Sequence, residues 1–497
     1  MIVGKPVVTH PLKETGVLCQ AGNALPAAAV FFASRLLQLA EALSLMPMAR
    51  LPVLILFRPV LGCSRLAEFE AVAARLDGAS AREREWEWDR TVHPFEGGDL
   101  GPHPVQILEG LPPSEHGWIS AVAEGAVTAS AAFEVLGAGH SPEECAASVA
   151  LSDADLLRRI DGTWCFRFRN LGASLPAEEK AHGPRVEVFR DALSCLGRRK
   201  VELVSPDHEI WLLRTHLRRR DEEPLHPRPR YHLLLRLNAR KGAVSVGPLV
   251  RALDVKRRPF LGPSAMPAER ALMMANLALA NRGGGECSVL DPFCGSGGLL
   301  LAAASLGART VGGDLDASLL SSERRVQKIP PSPSRPMRGK EEVCIEDNFL
   351  SLRLPIPRRC LGGIDAWSSK APGLYLEANG GERFDALLTD PPYGRRAFLH
   401  GAKGWTGNEN SHVGDLVLCE TLRRMAGLAA AILKPGGRLV FLMPVEGRRK
   451  MGRLTFRQLR ERLEELEQAA GFTLLSIGRE SVNESLDRAT ILMLNDV

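Results

Sequence analysis

The sequence predicts an α/β protein with a doubly wound, seven-stranded sheet in its C-terminal half, preceded by a mixed α+β region. Three observations predict it. Two short apolar runs, Ser288–Phe293 (SVLDPF) and Phe384–Thr389 (FDALLT), alternate little, as central parallel strands buried on both faces do, and each meets an acid at its end. Cys294-Gly295-Ser296-Gly297-Gly298, followed by LLLAAASLG, is a Gly-rich turn running into a helix. Strand and helix patterns then alternate to the C-terminus, the order expected of a sheet covered by helices on both faces.

In chain order, residues 1–50 are expected to be an extension outside the folded protein, either disordered or a gene-model artefact with Met46 or Met48 as the true start. That reading is preferred to a transit peptide. Ala27–Met46 carries Arg35, Gln38 and Glu41 and reads as an amphipathic helix, not a membrane span. Residues 51–245 form the α+β region. Strands are expected at Leu51–Val60, Trp164–Phe168, Glu209–Leu213 and His232–Asn238. Helices are expected at Arg65–Leu76, Trp118–Leu136 on Ala-rich composition, Pro142–Ile160 and Val186–Leu196, with a loop at Ala81–Gly101.

Residues 246–497 supply the seven strands: Ser288–Phe293, a run ending at Asp314 (ARTVGGDLD), Val343–Asn348, Phe384–Thr389, Arg438–Met443, Phe472–Ile477 and Ala489–Leu494. Helices are expected from Asp415 to Leu433, stopped by Lys434-Pro435-Gly436-Gly437, and from Thr455 to Ala470. The Pro-rich stretches Ile329–Arg338 and Leu354–Lys370 cannot form a sheet interior and are expected to be inserted surface loops.

A chain of 497 residues, 45% hydrophobic and 24% charged, is long enough for two or three ordinary globular domains. The net charge of +5 permits nucleic-acid binding, and Arg198-Arg199-Lys200, Arg214–Arg220 and Arg228–Lys241 concentrate cations that could neutralise phosphates. Ten scattered cysteines with no CxxC predict reduced thiols in a cytosolic or nuclear protein, with cytoplasmic the expected location, not a disulfide or zinc framework.

The chemistry is placed at Phe384–Gly394 (FDALLTDPPYG). Asp390 follows a buried strand at its carboxyl end, where open α/β sheets bind ligands. Pro391 and Pro392 fix the backbone and Tyr393 adds a flat ring, so a carboxylate, a rigid carbonyl and an aromatic face meet. That set suits a planar base with an exocyclic amine: two acceptors take its hydrogens and aim the nitrogen while the base stacks on the ring. The turn Phe293–Gly297 forms a nucleotide-type site at a helix N-terminus, and Asp314, 23 residues after Asp291, is placed for ribose hydroxyls. The turn lacks the GxGxxG spacing and Asp291 would repel a pyrophosphate. S-adenosylmethionine, cationic and carrying adenosine, is therefore the expected cofactor, with Asp347 accepting from its adenine amine and no metal required.

DPFCGSGG, GGDLD, EDN, TDPPYG and LKPGG, in that order, resemble a Rossmann-like S-adenosylmethionine-dependent methyltransferase acting on exocyclic amines. With RRPFLGPSAM (Arg257–Met266), they are most similar to the THUMP-domain tRNA guanosine-10 N2-methyltransferase family. FRPVLGCSRLAEFEAVAARL resembles that family's opening strand and helix, and VELVSPDHEIWLL its THUMP segment, with a turn at Pro206 and Asp207. The resemblance implies that Asp291, Gly295, Gly297, Asp314 and Asp347 hold the cofactor, with Ser264 near its methionine end. It implies that Asp390, Pro391, Pro392 and Tyr393 hold a flipped guanine, Asp390 accepting the proton. It also implies a tRNA-gripping α+β region and no membrane; eukaryotic members work with a small zinc-binding activator subunit on a sheet edge, which archaeal members do not need. The alternatives are an N2-guanine or N6-adenine enzyme acting on another RNA or on DNA, and a catalytically silent RNA-binding subunit. Presence of both Asp291 and Asp390 counts against the last.

Overall fold

A computed structural model describes residues 51–58, 64–77, 105–108, 111–149, 151–172, 187–216, 228–238, 245–262, 265–280, 286–320, 325–328, 340–392, 411–446, 454–483 and 486–496. The extension 1–50 and the loop at Ala81–Gly101 lie outside them. No helix among the described residues is long and apolar enough to cross a membrane.

The N-terminal half is built on β1 (Val53–Phe57), α1 (Arg65–Asp77), β2 (Val105–Leu108), α2 (His116–Gly125), β3 (Ala129–Gly139), α3 (Pro142–Ala147), α4 (Asp153–Arg159), β4 (Trp164–Gly172), β5 (His208–His216) and β6 (Arg230–Arg236). These strands make one sheet in the order β2-β1-β3-β6-β5-β4, antiparallel except for the β4–β5 pair. Val53, Ile55 and Phe57 pack on α1 and α2, while Leu54 and Leu56 enter a second cluster with Phe133, Leu213 and Leu234. Asp207, in the Pro-Asp turn, accepts from the Thr163 N–H at 2.8 Å and its hydroxyl at 2.7 Å, pinning the starts of β4 and β5 together.

Three expectations for this half are corrected. The helix of Trp118–Leu136 ends at Gly125, and Ala129 onward is β3, because the middle of the sheet between β1 and β6 outweighs alanine's helix preference. Pro142–Ile160 is two short helices, each opened by a serine cap: Ser141 accepts from Glu144 N–H and Ser152 from Asp155 N–H. Of the helix expected at 186–196, residues 187–188 are helical, 189–193 are turns, and a 3-10 segment follows at Ser194–Arg198. β2, a four-residue strand, carries too little pattern to be read from sequence.

The C-terminal half continues with α5 (Val246–Ala252), α6 (Ala268–Ala278), β7 (Ser288–Asp291), α7 (Gly298–Ser305), β8 (Arg309–Asp314), α8 (Ala317–Leu320), β9 (Arg325–Lys328), β10 (Lys340–Val343), α9 (Ile345–Ser351), β11 (Arg359–Gly362), α10 (Ala371–Ala378), β12 (Phe384–Thr389), α11 (Ser411–Ile432), β13 (Leu433–Glu446), α12 (Phe456–Ala470), β14 (Phe472–Asn483) and β15 (Leu486–Asn495). Its sheet has the expected seven strands, in the order β11-β8-β7-β12-β13-β15-β14, with only β15 antiparallel to its neighbours. The chain winds outward from β7 to β11 and then returns to β12, so β7 and β12 flank the switch point where such sheets take ligands. β12 is buried on both faces: Phe384 and Leu387 enter one core with Tyr375 and Met425, Ala386 and Leu388 the other with Leu272 and Leu300. Asp385, on the same strand, is buried as a brace. It accepts from Ser288 N–H at 2.8 Å and pairs with Lys434 at 2.9 Å.

The third strand differs from expectation. Lys340–Val343 pairs only with β9 in a two-stranded hairpin, and the chain enters α9 at Ile345. The sheet instead uses Arg359–Gly362 as its edge strand, inside the Pro-rich stretch expected to be all loop. An edge strand tolerates such flanks because one side of its ladder is unpaired. The other Pro-rich stretch lies outside the described residues. Helix α11 stops at Ile432 as expected, but Lys434–Gly437 is a bulge within β13, with Gly436 at φ 71°.

Gly312 and Gly313 show why β8 carries two glycines. A Cβ on Gly312 would lie 2.9 Å from Cys294 Sγ on one face, and a Cβ on Gly313 2.6 Å from Tyr375 Oη on the other. Gly313→Ala is therefore expected to cost about 1–3 kcal/mol through overpacking, read as a lower midpoint in chemical denaturation.

Candidate active site

The Gly-rich turn joins β7 to α7 through two left-handed residues, Gly295 at φ 50° and Gly297 at φ 81°, which only glycine adopts readily. Gly297 caps α7 and turns the helix's free N–H groups toward the carboxyl edge of the sheet. Two bonds tie the turn to β8: Gly295 N–H donates to Asp314 Oδ2 at 2.9 Å, and Cys294 N–H to the Gly313 carbonyl at 2.9 Å. Ser296 is buried beneath the strap that precedes the sheet. Asn348 makes that strap: its Oδ1 accepts from Phe260 N–H at 2.8 Å, and its Nδ2 donates to the Phe260 carbonyl at 2.9 Å and the Ser296 carbonyl at 3.2 Å. Asn348 stands in the EDN motif, where no local pattern marks this role.

Asp291 closes β7 and is buried. Its Oδ1 accepts the Thr389 hydroxyl of β12 at 2.6 Å and Phe293 N–H at 3.1 Å. Burial pushes its carboxyl up to about 7, against the pull of those two bonds, and Asp314 and Asp390 repel it further. Burial likewise holds Asp314 above the usual range. Beside it, Leu387 of β12 pairs with Leu290 of β7, which brings Asp390 to the same end of the sheet as Asp291. Asp390 and Pro392 are half-buried and Pro391 is buried. Three carboxylates thus converge at the switch point beside a helix N-terminus, and the charges acting on the most buried one are negative. A ligand bearing positive charge relieves that arrangement, whereas a pyrophosphate would add to it.

Among the predicted site residues, Asp291, Phe293, Gly295, Ser296, Gly297 and Asp314 come together around β7 and β8, with Asp390, Pro391 and Pro392 one strand away. Ser264 and Tyr393 lie outside the described residues. The strand end expected at Asp347 is corrected: Asp347 is the third residue of α9, where its carboxylate accepts from Cys344 N–H at 2.8 Å in a capping box. The acid beyond the true third strand is Asp365, three residues after β11. It accepts from Trp367 N–H at 3.0 Å, and the half-buried Trp367 ring packs on Phe293 with centroids 5.0 Å apart. Reading the strand at Val343 hid this acid, because Leu354–Lys370 carries no strand-like run.

Residues 256–335 match the family model UPF0020, an RMKL-like methyltransferase domain. The chain is 28% identical over 337 residues to the tRNA (guanine(10)-N(2))-methyltransferase TRMT11 of Rattus norvegicus, covering 64% of this chain and 66% of the rat protein, just under two thirds of its length. It is 28% identical over 340 residues to the Homo sapiens TRMT11, covering 64% and 67%. Its fold aligns with the crystal structure of TrmN from Thermus thermophilus at 17% identity and TM-score 0.38, over 90% of this chain and 99% of that one. A seven-stranded sheet with an acid-lined Gly-rich turn, and a methyltransferase-domain match over residues 256–335, give the chain a Rossmann-like methyltransferase fold. Within that class the chain is similar to the tRNA (guanine(10)-N(2))-methyltransferases named above.

The raised Asp291 sets a pH dependence. With its folded carboxyl near 7 and an ordinary value when unfolded, the folded protein binds the extra proton, so stability falls as pH rises from about 4 through 7. Asp291→Asn removes that loss. Thermal denaturation should show the variant gaining on the wild type between pH 5 and pH 8, by on the order of 2–3 kcal/mol. An unchanged difference at the two pH values would mean that Asp291 is not a buried ionisable group.

Proposed function

We propose that the protein transfers a methyl group from S-adenosylmethionine to the exocyclic N2 of guanosine 10 in tRNA. The observation that carries this is the meeting of Asp291 and Asp314 with Asp390-Pro391-Pro392 at one switch point: a cation-seeking pocket one strand from an amine-accepting loop. When bound, S-adenosylmethionine supplies a methyl carbon made electrophilic by a sulfonium. Asp291 offsets positive charge at the entrance of the turn, with Ser264 assigned to the methionine end. Asp314 accepts from ribose hydroxyls, its Oδ2 being already oriented by Gly295 N–H. Asp365 takes the adenine amine in place of Asp347, beside the Trp367 and Phe293 rings.

At the acceptor side, Asp390 and the Pro391 carbonyl accept the two N–H groups of the guanine amine, and Tyr393 stacks on the base. Holding both hydrogens aims the nitrogen lone pair, and Asp390 accepts the proton once the methyl has moved. The N-terminal region, residues 51–245, is the THUMP-containing part that grips tRNA, with residues 246–497 as the catalytic domain. Exposed Arg198 and Lys200 offer phosphate contacts. A small zinc-binding activator subunit is assigned to the free edge of β11. Ile356 just before that edge and Leu315 at the end of β8 are both exposed. A cytoplasmic location belongs to the same reading, and the eight described cysteines are free thiols.

The test is transfer from labelled S-adenosylmethionine to unmodified tRNA, with and without an activator, followed by nucleoside analysis. N2-methylguanosine at position 10 is expected; N6-methyladenosine would overturn the substrate, and no transfer in either arm the activity. Asp390→Asn should lower turnover by about 10²-fold or more while the cofactor still binds. Asp365→Ala should weaken cofactor binding by about tenfold or more. Asp347→Ala should leave affinity within about twofold and cost about 0.5–2 kcal/mol of stability through its cap. The reverse pattern in calorimetry would restore Asp347 to the site.

A further inference from the structure

We infer that Glu68, Asn276 and Arg75 form a latch that holds the N-terminal sheet at a fixed distance from the catalytic sheet, and so selects the guanosine that reaches Asp390. The inference rests on tRNA being the substrate. Glu68 and Arg75 lie two turns apart on one face of α1, and the Asn276 amide of α6 sits between them. Asn276 is buried, with both amide hydrogens donated and its oxygen accepting. Its Nδ2 donates to Glu68 Oε1 at 2.7 Å and to the Gly125 carbonyl at 3.1 Å, and its Oδ1 accepts from Arg75 Nη1 at 2.7 Å. Glu68 is equally buried. Its two oxygens also accept Val127 N–H at 2.8 Å and Thr128 N–H at 2.9 Å, the residues that lead into β3.

The latch therefore joins two load paths. On the N-terminal side it grips the entry to β3, which lies between β1 and β6 in the sheet proposed to hold RNA. On the catalytic side the Leu277 carbonyl, next to Asn276, accepts from Arg438 of β13 at 2.9 Å, and β13 lies beside β12, the strand that ends at Asp390. Replacing any member leaves a buried charge or amide without its partner, which costs far more than losing a surface bond. Burial pushes the Glu68 carboxyl up, against the hydrogen bonds from Thr128, Asn276 and Val127, and pushes the Arg75 guanidinium down, against the pull of Glu68. A base misplaced by about 1 Å can lose 10²-fold in rate. A rigid joint of this kind is how a distance in tRNA becomes a choice of nucleotide. Glu68, Asn276 and Arg75 are positioning residues, not catalytic ones.

The full-length wild type, Glu68→Gln, Asn276→Ala and the milder Arg75→Met are compared for sites methylated in tRNA, cofactor affinity and melting temperature. Glu68→Gln and Asn276→Ala should methylate additional guanosines, with selectivity for one position lowered by about tenfold and cofactor affinity within about twofold. Arg75→Met, losing one bond, should show the same direction in smaller degree. Variants that fold and methylate a single guanosine with wild-type selectivity would overturn the latch. Hydrogen exchange on the wild type is the independent arm. Val127 and Thr128 amides should exchange as slowly as those of β12, and faster exchange would show the joint opening on its own. That arm needs no substrate, so slow exchange without transfer to tRNA would locate the failure in the substrate reading.

Discussion

Asp291 is a carboxylate that the fold removes from water and then leaves facing two more carboxylates. The Thr389 hydroxyl that holds it comes from the residue immediately before Asp390. That hydrogen bond, added to the backbone pairing of β7 with β12, ties the start of the Gly-rich turn to the start of the Asp390-Pro391-Pro392 loop. Around it the sheet is braced from below by Asp385, which joins Ser288 at the start of β7 to Lys434 in the bulge of β13. The two acids of FDALLTD thus divide the work: one locks the strand and the other is presented at its end.

Most of this was legible in the sequence, for a physical reason. Strands buried on both faces must be continuously apolar, so FDALLT and SVLD announced themselves, and a turn needing two left-handed residues must carry glycines at 295 and 297. The third strand was hidden because β11 is a short edge strand with half its surface exposed, and neither continuous nor alternating apolarity is required of it. VCIEDN looked like a strand end, but its acid is consumed in capping α9, a role that places acids near apolar runs just as a strand end does. The alanines of β3 misled in the opposite direction. Their place in the centre of a six-stranded sheet is decided by neighbours distant in sequence, which local propensity does not register.

Contacts between distant segments were equally silent. Asn348 staples the segment before the sheet to the Gly-rich turn, 88 residues from Phe260, and Glu68 meets Asn276 across 208 residues. Nothing in either local sequence marks the partner. Both asparagines are buried amides that donate both hydrogens and accept at the oxygen, and both connect elements whose relative position the proposed chemistry depends on.

The most direct measurement of the central claim is the number of protons exchanged when S-adenosylmethionine binds, obtained by calorimetry at pH 7 in buffers of different ionisation heat. A buried carboxyl near 7 that receives a cation must ionise, so the account predicts release of about half a proton at pH 7, fading toward zero by about pH 9. Binding without proton release at pH 7 would contradict it, because Asp291 would then be either already charged or not the group that meets the ligand.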